Sequence, residues 1–297
     1  MSPADKPHRG TIHIEDAAVI DQVAHPGEQF VLSVHAPECA QHATAGSFAH
    51  LQCDPDIPMR RPISIMGADP ESGQVDFLYK IVGHGLRSLG HKKAGDTISV
   101  LGPIGNGFTI DDNKPRKLMV GGGVGVPPML FLANQLARAG TNLGTSLVLM
   151  GSEVPFPFTT VESHVGVGGI ATDATHALES LEQQRIPSRL ASLQGYDGVH
   201  NGYVTDLTRG WLAFLSDSER AETQMFACGP EPMLEAAAQL AAEFNVSCQL
   251  CLEEYMACAV GGCAGCTVPV HLEDGVAMKR VCVDGPVFEA KTIYPSP

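Results

Sequence analysis

The chain has 297 residues, with 33 acidic and 19 basic side chains and a formal net charge of −14. At 44% hydrophobic and 18% charged it can bury a sizeable core, which excludes a disordered chain, and its length suggests about two domains. The acidic balance argues against nucleic acid or an anionic membrane surface as partner, because neutralising phosphates takes clustered Lys and Arg.

No apolar run is long enough for a spanning helix. The opening Met1-Ser2-Pro3-Ala4-Asp5-Lys6-Pro7-His8-Arg9 lacks the apolar core of a secretory signal. Nine cysteines then point to a reducing compartment, the cytoplasm, and to metal or redox use rather than a disulfide framework.

Glycine and proline punctuate the first third of the chain. Between them lie six short β-like runs: Thr11 to Ile20, Gln29 to His35, Ser47 to Cys53, Pro62 to Met66, Val75 to Val82 and Thr97 to Leu101. Several alternate apolar and polar residues, so this part reads as an antiparallel barrel or sandwich. Arg61-Pro62-Ile63-Ser64 opens the fourth run. Arg61 and Ser64 are expected to share a face suited to a pyrophosphate and a flavin edge, although the tetrapeptide alone is equally the start of an ordinary strand. Leu78-Tyr79-Lys80-Ile81-Val82-Gly83-His84-Gly85 is expected to end a strand in a glycine turn able to bring backbone amides near phosphate. Tyr79 by itself is equally a half-buried strand aromatic.

A polar linker, Asp111-Asp112-Asn113-Lys114-Pro115, marks a change of pattern. The apolar run Lys117 to Val120 leads into Gly121-Gly122-Gly123-Val124-Gly125-Val126-Pro127-Pro128. A helix is expected over about Pro127 to Ala139, and a buried strand over Ser146 to Met150. That is a βαβ unit whose glycines permit close backbone approach and whose helix N-terminus favours phosphate. The run reads G-x-G-x-x-P, not the G-x-G-x-x-G fingerprint, and a plain tight turn is its alternative. Residues 152–202 are harder to place; the pattern offers one helix near Asp173 to Gln184 and a strand at Arg189 to Ser192. A second half follows, with a strand at Gln224 to Ala227 and an alanine-rich helix from Glu231 to Phe244. Cys228-Gly229-Pro230 lies between them, where open α/β sheets place ligands. Its cysteine counts for position, since a thiol there is commonly a small buried hydrophobe.

From about Ser247 the tail reads as a third unit, too short to hold a core alone, which a metal centre would offset. Five of the nine cysteines fall between 248 and 266. Cys258, Cys263, Cys266 and Cys282 have the spacing C-x4-C-x2-C-x15-C, whose first intervals match plant-type 2Fe-2S loops. Gly261, Gly262 and Gly265 are expected to supply positive φ and let amides approach sulfur. Two alternatives stand: unliganded cysteines, and a zinc ribbon built from Cys248-Gln249-Leu250-Cys251 with Cys263 and Cys266. Against zinc, Val246 to Cys251 reads as a strand, where positions three apart face opposite ways.

Taken together, RPIS, LYKIVGHG, GGGVGVPP, CGP and the cysteine motif, with its ending Arg280-Val281-Cys282-Val283-Asp284-Gly285-Pro286-Val287-Phe288, resemble the electron-transfer subunits of NAD-dependent dihydroorotate dehydrogenases. These belong to the ferredoxin–NADP reductase-like flavoproteins, and the similarity keeps the motif order over nearly the whole chain. The resemblance implies a multidomain β plus α/β protein. Its parts would be an antiparallel FAD-binding β-barrel (8–111), a Rossmann-like NAD(P)-binding α/β domain (115–245) and a small C-terminal 2Fe-2S module (246–297).

By position, Arg61, Pro62, Ile63, Ser64, Leu78, Tyr79, Lys80, Gly85 and Leu86 would hold FAD. Leu86 departs from the family's usual threonine and can offer only its amide. Gly121, Gly122, Gly123, Gly125, Cys228, Gly229 and Pro230 would take NAD(P), and Cys258, Cys263, Cys266 and Cys282 the cluster. The sequence carries no catalytic acid–base or nucleophile constellation, and no clear ribose-reading residue that chooses NAD or NADP. The implied activity is an NAD(P)H-linked oxidoreductase subunit. It would move electrons between NAD(H), FAD and a 2Fe-2S cluster, to or from an FMN-carrying dihydroorotate dehydrogenase of pyrimidine biosynthesis. Ferredoxin, hydrogenase or sulfide-type partners, a self-contained reductase and a zinc-stabilised binding module are the alternatives.

Overall fold

The computed structural model describes residues 12–295, so Met1–Arg9 and the first residue of the run beginning at Thr11 lie outside it. The first part runs β1 (His13–His25), β2 (Gln29–His35), α1 (Pro37–His42), β3 (Phe48–Gln52), β4 (Arg61–Asp69), β5 (Gln74–Lys80), α2 (Gly83–Leu89) and β6 (Thr97–Ile104). The six strands close into an antiparallel barrel in the order β1-β2-β5-β4-β3-β6. Every second residue points inward, so Ala17 and Val19, Leu32 and Val34, Ala49 and Leu51, Ile63 and Ile65, and Phe77 and Tyr79 fill one interior. The six expected strands all form. The turn expected at Gly83 is instead the first turn of α2, and α1, only six residues long, carries too little periodicity to be seen in advance.

After the linker come β7 (Arg116–Gly122), a single 3-10 turn (Gly123–Gly125), α3 (Val126–Arg138), β8 (Leu147–Gly151), β9 (Thr160–Glu162), β10 (His176–Leu178), α4 (Glu179–Gln183), β11 (Ser188–Ala191), α5 (Val204–Phe214), α6 (Asp217–Ala221), β12 (Thr223–Cys228), α7 (Glu231–Glu243) and β13 (Ser247–Cys251). The sheet order is β11-β8-β7-β12-β13, all parallel. Its strands are buried on both faces, which explains their unbroken apolar runs. The chain starts in the middle at β7, works outward to β11, then returns to the other side of β7 as β12. Strand order therefore reverses between β7 and β12, and open sheets of this kind bind ligands at that reversal.

One expectation is corrected here. The helix foreseen over Asp173 to Gln184 is a strand followed by a short helix. Ala177 and Leu178 are buried in β10, which pairs with β9, while on α4 only Leu181 is buried. Conversely, α5 was not foreseen, although Val204, Leu207, Thr208, Trp211 and Leu212 form a helical stripe that is readable in the sequence.

The chain closes with β14 (Thr267–Leu272), β15 (Gly275–Arg280), β16 (Val287–Glu289) and α8 (Ala290–Ile293). β14 and β15 form a hairpin, and β16 pairs antiparallel with β13 at the edge of the large sheet. The stretch assigned to a third unit thus gives two strands to the sheet before it, so its cysteine loop is braced from outside. Asn106, just past β6, ties it to the barrel: its backbone N–H donates to the Gly285 carbonyl at 2.6 Å, and Nδ2 donates to Val283 and Asp284 carbonyls. Phe48, Ile104, Met256, Ala259, Val281 and two of the cysteines make a small apolar core at this junction. Among the described residues, no helix is long and apolar enough to cross a membrane.

Candidate functional site

At the strand-order reversal the glycines of β7 and the end of β12 come together. A Cβ on Gly125 would lie 2.3 Å from the Cys228 carbonyl oxygen, and one on Gly122 or Gly229 would strike Met233. Gly123 has φ +54° and open space around its Cβ position, so it is needed for conformation, whereas Gly125 is needed for close approach. Pro127 and Pro128 occupy the first turn of α3, as expected. Gly121, Gly122, Gly123, Gly125, Cys228, Gly229 and Pro230 therefore rim one crevice at the carboxyl ends of β7 and β12. The Cys228 thiol is buried, and the Cys251 thiol beside it, together with that burial, holds its pKa well above the ordinary value. It shapes the crevice rather than supplying a nucleophile.

The barrel presents its own cradle next door. The guanidinium of Arg61 lies over Gly85 in the first turn of α2, so close that a Cβ there would meet it at 3.0 Å. A fixed cation and a side-chain-free helical turn at one spot suit a diphosphate. Arg61 and Ser64 do not share a face as expected. They are three apart, and β4 turns Ile63 and Ile65 into the barrel while Ser64 has the opposite parity. Pro62 pairs with His50 across β3. Leu78 is buried, and Lys80 ends β5 half-buried. Tyr79 points into the barrel, stacks on Phe30 and donates its hydroxyl to Gln22 at 2.8 Å. Its side chain is thus committed to the core. Leu86 likewise buries its side chain in the barrel core.

Cradle and crevice share a wall. Helix α3 packs along β4, the 3-10 turn of residues 123–125 touches β5, and Arg138 donates to the Ala68 carbonyl at 3.1 Å. A flavin held on the barrel and a nicotinamide held on the sheet would face each other here.

The four C-terminal cysteines resolve into two pairs. Cys258 and Cys263 sulfurs are 3.3 Å apart, and so are those of Cys266 and Cys282. A single tetrahedral zinc would bring all four sulfurs to within about 3.8 Å of one another, from bonds of about 2.3 Å. Yet no three of the four lie within 4.8 Å of one another. Two thiols for each of two irons fit; one ion does not. Cys248 and Cys251 are buried in different cores on opposite faces of β13, which removes the zinc ribbon.

Loop geometry explains the convergence, with one correction. Positive φ falls at Ala259, Gly261 and Ala264, and not at Gly262 or Gly265. Gly265 instead donates its N–H to the Cys263 sulfur at 3.4 Å, and Cys263 N–H donates to Cys258 at the same distance. Burial opposes ionisation of Cys258, but the amides of Val260, Cys263 and Gly262, with the Cys263 thiol, pull its pKa down to about 7. In the inner pair, burial and the adjacent Cys266 thiol push Cys282 up to about 12. Arg280 Nη1 donates to the Gly261 carbonyl at 3.0 Å and holds the loop. Neither this brace nor the Asn106 clamp leaves a mark in the sequence pattern.

Barrel, parallel sheet and paired-sulfur loop together define a ferredoxin-reductase-like fold extended by an iron–sulfur module. A solved structure described as an NADH-dependent reduced ferredoxin-NADP oxidoreductase matches with a TM-score of 0.74 and 26% identity, covering 94% of this chain and 90% of its own. A ferredoxin NADP⁺ reductase from Neisseria gonorrhoeae shares the fold at 16% identity, with a TM-score of 0.53 over 78% of this chain and 91% of its own. Residues 253–294 match the iron-sulfur cluster binding domain of dihydroorotate dehydrogenase B. The electron transfer subunit of dihydroorotate dehydrogenase B (NAD(+)) from Geobacillus sp. (strain WCH70) is 35% identical over 272 residues, 88% of this chain and 90% of that one. Its counterpart from Caldanaerobacter subterraneus subsp. tengcongensis is 32% identical over 84% of this chain and 86% of its own. The chain belongs to the family of dihydroorotate dehydrogenase B electron transfer subunits.

Proposed function

We propose that this chain carries electrons between NAD(H) and a partner catalytic subunit, most simply a dihydroorotate dehydrogenase. FAD would sit on the barrel, NAD(P) in the sheet crevice and a 2Fe-2S cluster in the loop after β13. Bound there, FAD supplies the exchange between hydride, which carries two electrons, and the one-electron steps of the cluster. The chain's part is placement. Arg61 and the first turn of α2 would fix a diphosphate, while Gly122, Gly125 and Gly229 let the ends of β7 and β12 close up on Met233 and Cys228, which shapes the place for a dinucleotide. The packing of α3 on β4 sets one against the other. Cys258 and Cys263 lie on the outer side of the cysteine loop, with Val260 and Tyr255 exposed beside them, so the exit side is open to a partner.

The observation that carries this reading is the division of the sulfurs into two pairs. The test is reconstitution with an FMN-carrying dihydroorotate dehydrogenase subunit. Dihydroorotate-dependent reduction of NAD⁺ should require both chains. The likeness to the NADH-dependent ferredoxin-NADP oxidoreductase structure favours a second reading, in which ferredoxin is the acceptor. Rapid NADH-driven ferredoxin reduction by the chain without a dihydroorotate-oxidising subunit would replace the first reading with the second.

A further inference from the structure

His13, Glu38 and His42 meet where the start of β1 faces α1. Each offers one ligand atom, and these atoms all lie within 4.8 Å of one another. His13 Nδ1 is 3.7 Å from Glu38 Oε2, and the two imidazole rings stack with centroids 5.0 Å apart. Tetrahedral zinc, with bonds of about 2.0–2.2 Å, needs ligand-to-ligand separations of about 3.4 Å. Small rotations of three side chains would therefore close the site.

Three further features set this trio apart from a chance surface grouping. First, Glu38 and His42 are four apart on α1, so one helical face carries both. Second, His42 Nδ1 lies 2.9 Å from the Glu38 carbonyl oxygen. Donation there places the proton on Nδ1 and leaves Nε2 bare, which is the arrangement that prepares a histidine for a metal. Third, His13 Nε2 is buried with no hydrogen-bond partner among the described residues, so nothing in the protein satisfies that nitrogen. The scaffold is also fixed beforehand. Glu15, two residues along β1 from His13, accepts the backbone N–H groups of Glu38 and Cys39 at 3.0 and 2.8 Å, pinning α1 to β1.

We propose that His13, Glu38 and His42 form a binding site for a divalent transition ion of the zinc class, with water as fourth ligand. Two imidazoles and one carboxylate suit zinc, nickel or copper and not magnesium or calcium, which want several oxygens. Glu38 and His42 are exposed, so the ion has an entry path. Because the ligands come from β1 and from the helix that plugs the barrel, occupancy would staple the two together.

The experiment is calorimetric titration of Zn²⁺ into holoprotein with flavin and cluster in place, followed by zinc X-ray absorption. One equivalent should bind with a nitrogen and oxygen shell and no sulfur, and the thermal midpoint should rise. Glu38→Gln and His42→Gln should each weaken binding at least tenfold and abolish the rise, with NADH-to-dye reduction unchanged. A sulfur shell, or unaltered affinity in both variants, would overturn the site, as would failure to bind Zn²⁺ at all. None of these readouts depends on which subunit accepts the electrons.

Discussion

Two stretches of this chain hold cysteines three residues apart, and they have opposite fates. Cys248 and Cys251 lie on a strand, so the backbone sends one to each face of the sheet and buries both in apolar surroundings. Burial raises the Cys248 thiol, which stays a small hydrophobe. Cys263 and Cys266 lie on a loop of left-handed turns, and each finds a partner from elsewhere: Cys258 for the first, Cys282 for the second. Spacing alone does not make a ligand. What matters is whether the intervening backbone can turn, and whether its N–H groups face the sulfur.

The largest expected effect tests this contrast directly. Cys263→Ser should strip iron and acid-labile sulfide from anaerobically purified protein and stop transfer to the partner, while leaving hydride transfer from NADH to flavin largely intact. Cys248→Ala should retain full iron content and lose only about 1–2 kcal/mol of stability, as for other small buried deletions. Iron loss in the strand variant would show that the two stretches are not independent.

Glycine positions sharpen the comparison next. In the sheet crevice, Gly125→Ala drives a methyl group into the Cys228 carbonyl, which is backbone and cannot swing away. We expect about 3 kcal/mol of destabilisation, at the upper end of overpacking costs, together with a raised KM for NADH. Urea unfolding and steady-state kinetics would measure both, and a variant of ordinary stability and KM would show that β7 and β12 separate freely.

His50 tests the seam between strand-built and loop-built parts. It sits on β3, 1% exposed, with both ring nitrogens unpartnered among the described residues. Burial first, then the charges of Arg60 and Arg61, lower its pKa from 6.5 to about 4. Unfolded, the ring takes up a proton below about pH 6.5; folded, it stays neutral until about pH 4. Over that window the unfolded state binds more protons, so stability falls as pH falls, by an amount on the order of 3 kcal/mol at 1.36 kcal/mol per unit. Thermal unfolding from pH 7 to pH 4 should show this slope, and His50→Gln should flatten it. An equal slope in the variant would place the acid sensitivity elsewhere.

How much of this was legible in the sequence follows the same division. The barrel strands were readable because alternate residues fill one interior, and β7, β8 and β12 because both their faces are buried. The cysteine quartet was readable because its spacing is a covalent constraint. Of residues 152–202 the strand at Arg189 to Ser192 was readable and forms as β11, but β9 and β10 were not, since they are three residues each and draw their order from distant partners. Glu182, for example, accepts the N–H groups of His164 and Val165, and buried Arg189 donates to Ser163 and the Val165 carbonyl. The Arg61 cradle was half legible: its residues could be named, but their mutual approach over Gly85 depends on a helix that looked like a turn.

The smallest effect concerns neighbouring glycines inside the cysteine loop itself. Gly261 has φ +80°, and a Cβ there would strike the Val283 side chain at 2.5 Å, so both conformation and space demand glycine. Gly262 has neither restraint: its φ is not in the left-handed region, and a Cβ would meet nothing within 4 Å. Its role is confined to an amide beside the Cys258 sulfur, and alanine keeps that amide. Gly262→Ala should therefore shift stability by less than about 0.5 kcal/mol, in the range of ordinary surface changes. The cluster's visible spectrum and midpoint potential should stay those of the unaltered protein. A shifted potential would mean that the loop needs freedom at this residue as well as its N–H, so that the turning backbone, and not the donor alone, would distinguish a ligand loop from a strand.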